Sequence, residues 1–383
     1  MAAMPGSWRR PHHLHALAAA SRPPPSSVRA GAAVGTVAAL LALGGSTTRC
    51  RPARRLSYRR IAAAATVATP AAPRRKRRRM SPGRVSPGRT VPEEIERPPY
   101  LLPGARMSPI DGLPVHCFMH AQEVKRPDQI AAMRVAGSLA REALLAAGRA
   151  VAPGVTTDDI DAVVHEFIVS RGAYPSPLGY MDFPKSVCTS VNDVIAHGIP
   201  DDRPLEDGDI LNIDVTVFVG GHHGDTSSMF LVGTPEPEAL ALCEAGRRAM
   251  MAGIEACGPG VDFREVGPRI EAVAQEAGCY CSRLFVGHGI GNYFHGAPEV
   301  IPHANDLDQD VMLPGMTFTV EPVLVERNDE SHQLWDDDWT VQSLTGARSA
   351  QFEHTVLITE DGYDILTGPS IDYIKVADEQ RKK

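Results

Sequence analysis

Before Glu93 the chain has no aspartate or glutamate, although its 383 residues include 46 of them. The same stretch holds 18 of the 39 lysines and arginines. The remainder therefore carries 21 basic residues against every acidic one, a formal charge of −25 where the whole has −7. A segment rich in arginine, alanine, proline and serine and free of acid has the composition of a mitochondrial or chloroplast transit peptide. Residues 1–92 are thus expected to be a leader outside the fold, and the protein to be organellar, with the cytoplasm as the alternative. A long hydrophobic run is also missing. The stretch from Gly31 to Gly45 is alanine-rich, shorter than the roughly 20 residues a spanning helix needs, and too far from Met1 for an ordinary secretory signal. The basic run from Arg74 to Arg79 reads as part of the leader, ahead of a nuclear address or an RNA contact.

The seven cysteines (Cys50, Cys117, Cys188, Cys243, Cys257, Cys279 and Cys281) form no Cys-x-x-Cys pair. This scatter excludes a cysteine-rich zinc site and a disulfide framework, and it fits a reducing compartment. No phosphate-cradling glycine loop appears either, because Gly287-His288-Gly289-Ile290-Gly291 lacks the strand-to-helix setting of a dinucleotide site.

The chain does contain acids placed where strands are expected. In Ile210–Val217 apolar residues alternate with Asn212, Asp214 and Thr216, which predicts a strand with one oily and one polar face. Gly220-Gly221 supplies a turn, and His222–Thr226 opens the return strand, setting Asp225 across a hairpin from Asp214. Met316–Glu321 alternates in the same way, and Glu353–Thr359 is a strand that begins with a carboxylate. With His288, the four acids Asp214, Asp225, Glu321 and Glu353 make a set whose convergence requires metal. Carboxylates with one imidazole and no thiolate suit Mn, Fe, Co or Zn. Four carboxylates exceed the need of one ion, so two ions about 3.5 to 4 Å apart are expected.

The sequence also repeats. Arg141, Ala143, Ala146, Ala150, Pro153, Gly154, Val155 and Gly172 recur 106 positions later as Arg247, Ala249, Ala252, Ala256, Pro259, Gly260, Val261 and Gly278. His197-Gly198-Ile199 and His288-Gly289-Ile290 follow the two copies, and Gly208 and Gly315 each precede a ligand-type acid by six residues. The predicted fold is an α/β (α+β) unit, pseudo-two-fold, with duplicated helices packed on a curved antiparallel sheet. Its helices are expected from Thr157, as cap, to Arg171, then over Glu238–Ala256 and Phe263–Ala277.

Five ordered motifs, Asn212–Thr216, His223–Thr226, Gly287–Gly291, Phe318–Pro322 and Gln351–His354, together resemble the type 1 methionine aminopeptidases of the pita-bread metallopeptidase family, over roughly Pro127 to Leu366. The resemblance implies that Asp214, Asp225 and Glu353 hold one divalent ion and Asp225, His288, Glu321 and Glu353 the other. It implies catalytic roles for His197 at the scissile amide nitrogen, His295 at the carbonyl oxygen and Glu321 as proton shuttle. Tyr180, Phe183, Cys188, Phe294 and Trp339 match substrate-pocket positions, beside His197 and His295. Phe183, Pro177, Ala196 and Met181-Asp182 depart from the common pattern, which bears on the pocket and not on the metals. Glu321 and Glu353 are 32 positions apart, too close for the helical insertion of type 2 enzymes. The expected reaction is removal of initiator methionine from nascent polypeptide N-termini when the second residue is small. The ribosome is a further candidate partner, DNA and membrane are not, and a monomer is expected. Domains are expected as a leader (1–92), a Pro-rich extension or strap (93–127) and a catalytic domain (128–383). A prolidase-like dipeptidase and a metal-free binding protein of the same fold are the alternatives.

Overall fold

The computed structural model describes residues 79–102, 123–307 and 310–382. The body opens with α1 (Pro127–Ala150) and α2 (Thr157–Val169). Pro127 stands in the first turn of α1, where its missing N–H costs nothing, and Met133, Ala136, Ala140, Ala143, Leu144 and Ala147 bury one stripe of the helix. The cap of α2 lies one residue earlier than expected. Thr156 exchanges bonds with Asp159, its hydroxyl accepting the Asp159 N–H and its own N–H donating to the Asp159 carboxylate. Thr157 is instead buried, with its hydroxyl between the backbone N–H and C=O of Asp201.

Seven strands precede or bracket the second helix pair: β1 (Tyr174–Pro175), β2 (Cys188–Val191), β3 (Val194–Ala196), β4 (Ile210–Val219), β5 (His222–Leu231), then α3 (Pro237–Ile254), α4 (Val266–Glu276), β6 (Tyr280–Cys281) and β7 (Gly287–Gly289). The chain continues through β8 (Gly296–Val300), β9 (Thr317–Val320), β10 (Val323–Val325), β11 (His332–Leu334), β12 (Val341–Ser343), β13 (Ser349–Gln351), β14 (Glu353–Ile358), β15 (Tyr363–Ile365) and α5 (Tyr373–Gln380). Nine strands form one antiparallel sheet in the order β1-β4-β5-β14-β9-β7-β8, with β2 also on β4 and β15 also on β14. The α/β arrangement expected from the sequence, helices packed on an antiparallel sheet, is the one present.

The duplication is visible in the backbone. Gly154 and Gly260 turn left-handed at φ 88° and 78°, Gly172 and Gly278 at 69° and 65°, and Gly208 and Gly315 at 99° and 92°. The Gly154 N–H donates to Leu205 O and the Gly260 N–H to Met312 O, each at 2.8 Å. Six positions ahead of Asp214 and of Glu321, the N–H groups of Gly208 and Gly315 donate to Val232 O and Ile358 O, again at 2.8 Å. The two halves therefore fold alike around their turns. Gly224 lets α1 lie close on β5, since a Cβ there would stand 2.4 Å from the Ala136 carbonyl carbon.

On the polar face of β4, Asn212 and Thr216 are buried and Asp214 stays partly exposed. One expectation needs correction. The chain meets the body before residue 92. Met80 N–H donates to Asp193 at 3.1 Å, Gly83 N–H to Asp201 at 3.0 Å, and Arg89 Nε to Asp161 at 2.9 Å. Residues 79–102 thus form one strap, running on through buried Ile95 and Tyr100. Its contacts are single side chains and backbone N–H groups, which leave no apolar periodicity to read.

Candidate active site

Five neighbouring strands each deliver one of the predicted ligands. In spatial order these are Asp214 from β4, Asp225 from β5, Glu353 from β14, Glu321 just past β9, and His288 from β7. The β4–β5 hairpin turns at Gly220 and Gly221, both left-handed, and its register sets Thr216 opposite Asp225 and Asp214 opposite Ser227. Asp214 and Asp225 are thereby close diagonal neighbours on one face. Ligand atoms of Asp225, His288 and Glu353 lie within 4.8 Å of one another, and His288 Nε2 stands 3.7 Å from Asp225 Oδ2 and 3.5 Å from Glu321 Oε1.

Partners one shell out hold these groups. Thr216 Oγ1 donates to Asp225 Oδ1 at 2.6 Å, Thr319 Oγ1 to Glu321 Oε1 at 2.9 Å, and Gln351 Nε2 to Glu321 Oε2 at 3.3 Å. The two threonines sit two positions from an acid on the same strand face, so the period-2 pattern that flagged the acids could have flagged them. His288 Nδ1 lies 3.2 Å from Gly289 O, where it must donate, which leaves Nε2 as a bare lone pair aimed at carboxylate oxygens.

That arrangement fits a cation. Burial pushes the Asp214 carboxyl up to about 7 and that of Glu321 to about 8, the latter also through repulsion from Asp214. Burial and the neighbouring acids push Asp225 and Glu353 well above the usual carboxylate range. Burial lowers His288 to about 4, so its imidazole is neutral and able to ligate. No lysine or arginine lines the cavity among the described residues. A divalent ion would offset the crowded negative charge and occupy the lone pair of His288.

Above this floor is a cavity of about 430 Å³. All predicted pocket residues line it: Tyr180, Phe183, Cys188, His197, Phe294, His295 and Trp339, with Met181, Pro177 and the unanticipated Leu284, Phe285 and Ala297. The Phe183 ring stands edge-on to Trp339 at 5.1 Å. His197, left-handed at φ 56°, is held between Phe285 at 5.1 Å and Trp339 at 5.8 Å. His295 Nδ1 meets the Tyr180 hydroxyl at 3.1 Å, and burial with nearby His288, His197 and His223 keeps the ring well below the usual histidine range. Burial, followed by Asp214, pushes the Cys188 thiol well up, which makes it an apolar wall and not a nucleophile.

Residues 131–360 match the model of metallopeptidase family M24. The mitochondrial methionine aminopeptidase 1D of Mus musculus is 50% identical over 288 residues, 75% of this chain and 83% of that protein. The chain belongs to the methionine aminopeptidases of family M24. The chloroplastic/mitochondrial methionine aminopeptidase 1D of Arabidopsis thaliana is 47% identical over 291 residues, 76% of this chain and 80% of the relative. Among solved structures, the methionine aminopeptidase from Rickettsia prowazekii superposes with a TM-score of 0.63 at 40% identity, covering 65% of this chain and all of that one. The family match, residues 131–360, spans the strands that carry all five acid and histidine groups of the floor.

Proposed function

We infer that this protein is a metal-dependent aminopeptidase that removes the N-terminal methionine from nascent polypeptides. The observation that carries the reading is the floor of five ligand-type side chains beneath an aromatic cavity of about 430 Å³. Asp214, Asp225, His288, Glu321 and Glu353 would hold two divalent ions of the Co, Mn, Fe or Zn class, with Asp225 and Glu353 shared. Bound there, the ions would supply Lewis acidity at the first peptide bond near neutral pH.

The chain's own residues account for the rest. Phe183, Phe294, Tyr180, Trp339 and the neutral thiol of Cys188 give an unbranched thioether polarizable surface to pack on. With Nδ1 engaged by Tyr180, His295 Nε2 is the nitrogen left to donate to the carbonyl oxygen as negative charge grows on it. His197 serves the amide nitrogen. Glu321, once a bound ion keeps its carboxylate ionised, would be suited to take a proton from the attacking water and return it to the leaving amine.

The clamp on His197 supports a preference for a small second residue. A bulky side chain beside the scissile nitrogen would have to displace Phe285 or Trp339, at a cost felt more in the transition state than in binding. The leader is proposed to address the chain to a mitochondrion or chloroplast, in keeping with its composition and with the named compartments of the relatives. A monomer that works on chains leaving the ribosome, with no DNA or membrane partner, completes the proposal; no helix among the described residues is long and apolar enough to cross a membrane.

A peptide panel with Co, Mn, Fe and Zn added in turn tests the reading. Met-Ala-Ser and Met-Gly-Ser should be cut well, and Met-Leu-Ser at least about tenfold less efficiently, a difference of about 1.4 kcal/mol. Equal kcat/KM for Met-Ala-Ser and Met-Leu-Ser would refute the small-residue rule. Preferential cleavage of Ala-Pro would move the assignment to a prolidase-type dipeptidase.

A further inference from the structure

Tyr100 belongs to the strap, yet its ring ends against the active site. It is buried, its hydroxyl donates to Ser176 O, and its ring meets Tyr180 edge-on at 4.9 Å with 75° between the planes. Behind it lies the buried imidazole of His223, nearly parallel at 6.0 Å, with Nδ1 held 2.9 Å from the Ser176 hydroxyl. Tyr180 then reaches forward, its ring 5.2 Å from that of His295 and its hydroxyl 3.1 Å from Nδ1.

We propose that Tyr100 is a positioning residue: it holds Tyr180, and through the Tyr180 hydroxyl it sets the orientation of the His295 imidazole, so that the strap completes the active site. The inference rests on the assignment of His295 to the carbonyl oxygen made above. It is carried by the turn that presents Tyr180. Gly179, Met181 and Asp182 are all left-handed, at φ 80°, 49° and 67°, and two of these three lack the freedom of glycine. A backbone of that kind persists only where its surroundings over-determine it. Tyr100 and Leu101 pack against this turn from the strap side, with Leu101 alongside Gly179.

The strap is itself latched, so it can act as a fixed support. Arg89 pairs with Asp161 and Asp158, and buried Lys185 joins Asp158 to Ser86. Nearer the site, Arg97 donates to the carbonyls of Val91, Pro92 and Ile95 and lies 5.1 Å over the Tyr174 ring. Tyr100 is thus delivered to one place.

The test is a double-mutant cycle in the full chain, loaded with one metal and assayed on Met-Ala-Ser. Tyr100→Ala should lower kcat about tenfold with KM within about twofold and metal content unchanged, because a misaimed imidazole costs the transition state and not the ground state. Tyr180→Phe, which removes only the hydroxyl, should reproduce that loss, and Tyr100→Phe should recover most of it. Where alanine unfolds the strap, Tyr100→Leu fills the same space without an aromatic edge, and the same loss is expected of it. His295→Ala should itself cost about 10² to 10³ in kcat, and adding Tyr100→Ala to it should cost nothing further. Equal losses in both backgrounds, or an unchanged kcat in folded Tyr100→Ala or Tyr100→Leu, would overturn the positioning role. A His295→Ala protein with near wild-type kcat overturns the His295 assignment instead, and the positioning role falls with it.

Discussion

Two charge clusters in this molecule are built on opposite plans. At the strap latch, Asp158 and Asp161 face Arg89 and Lys185, so each carboxylate meets a cation that the chain supplies. Burial pushes Asp158 up, but Lys185, Ser86 and Arg89 outweigh it and hold it below the usual range. Asp161 remains raised by burial although the Ser186 N–H, Lys185 and Arg89 pull it down. On the cavity floor, Asp214, Asp225, Glu321 and Glu353 are all raised, and among the described residues no lysine or arginine lines the cavity. Charge balanced within the chain holds a structure together; charge left unbalanced is a site for something from outside.

The sharpest way to break this comparison is to remove one floor charge. Asp225→Asn should lower activity about 10³-fold or more and cut metal occupancy, since the lost Lewis acidity is worth several kcal/mol. The same substitution should leave the chelated protein more stable than chelated wild type, because it relieves repulsion that no protein cation offsets. Elemental analysis and thermal unfolding in chelator read both effects. Two tightly held metals in the variant, or a less stable apoprotein, would show that the floor is not built for an external cation.

The latch should answer in the opposite way. Asp161 is buried and accepts from the Ser186 N–H at 2.7 Å as well as from Arg89. Asp161→Ala strands both donors, and about 2 to 4 kcal/mol of stability should go, with a cost below that of a wholly buried pair because Arg89 keeps partial exposure to water. Denaturant unfolding should give the same loss with metal and with chelator. A loss that appears only in the metal-loaded protein would place the latch under control of the floor and erase the distinction.

The two clusters also differed in how far the sequence revealed them. The floor was legible residue by residue, because strand alternation put Asp214 and Thr216 on one face, and the Gly208 and Gly315 turns repeat in register with the acids they precede. What the sequence did not contain was the spatial order, in which β14 slips between β5 and β9 and carries Glu353 into the middle. The latch and Tyr100 were illegible. Residues 79–102 hold on through Arg89, Gly83 and Tyr100, partnered with residues 72, 118 and 76 positions away, and no local period records such contacts. Composition alone then assigned residues 79–92 to the leader. Trimming at residue 78 and trimming within the strap should therefore give proteins of different stability.

The smallest effect expected is a difference between the metal-loaded protein and the apoprotein in how stability responds to pH. Buried His223 and His354 are lowered to about 3 and about 4 by burial, against an unfolded value near 6.5. Between those values the unfolded chain binds more protons at these two rings, so with metal bound stability should rise with pH up to about 6.5, while in chelator the floor acids, whose unfolded values lie near 4, oppose that rise. Above that point the histidines are spent, and the floor decides. Asp214 at about 7 and Glu321 at about 8 keep protons that the unfolded chain has already lost. The folded state then binds more, and stability should fall from about pH 6.5 to 8 in chelator. Saturating metal should abolish the fall, because the ion holds these carboxylates ionised throughout. Unfolding midpoints measured every half pH unit, with and without chelator, read the two branches directly. An apoprotein whose midpoint keeps rising or stays level across pH 6.5 to 8 would mean that the four acids find their compensation inside the chain, as Asp158 does.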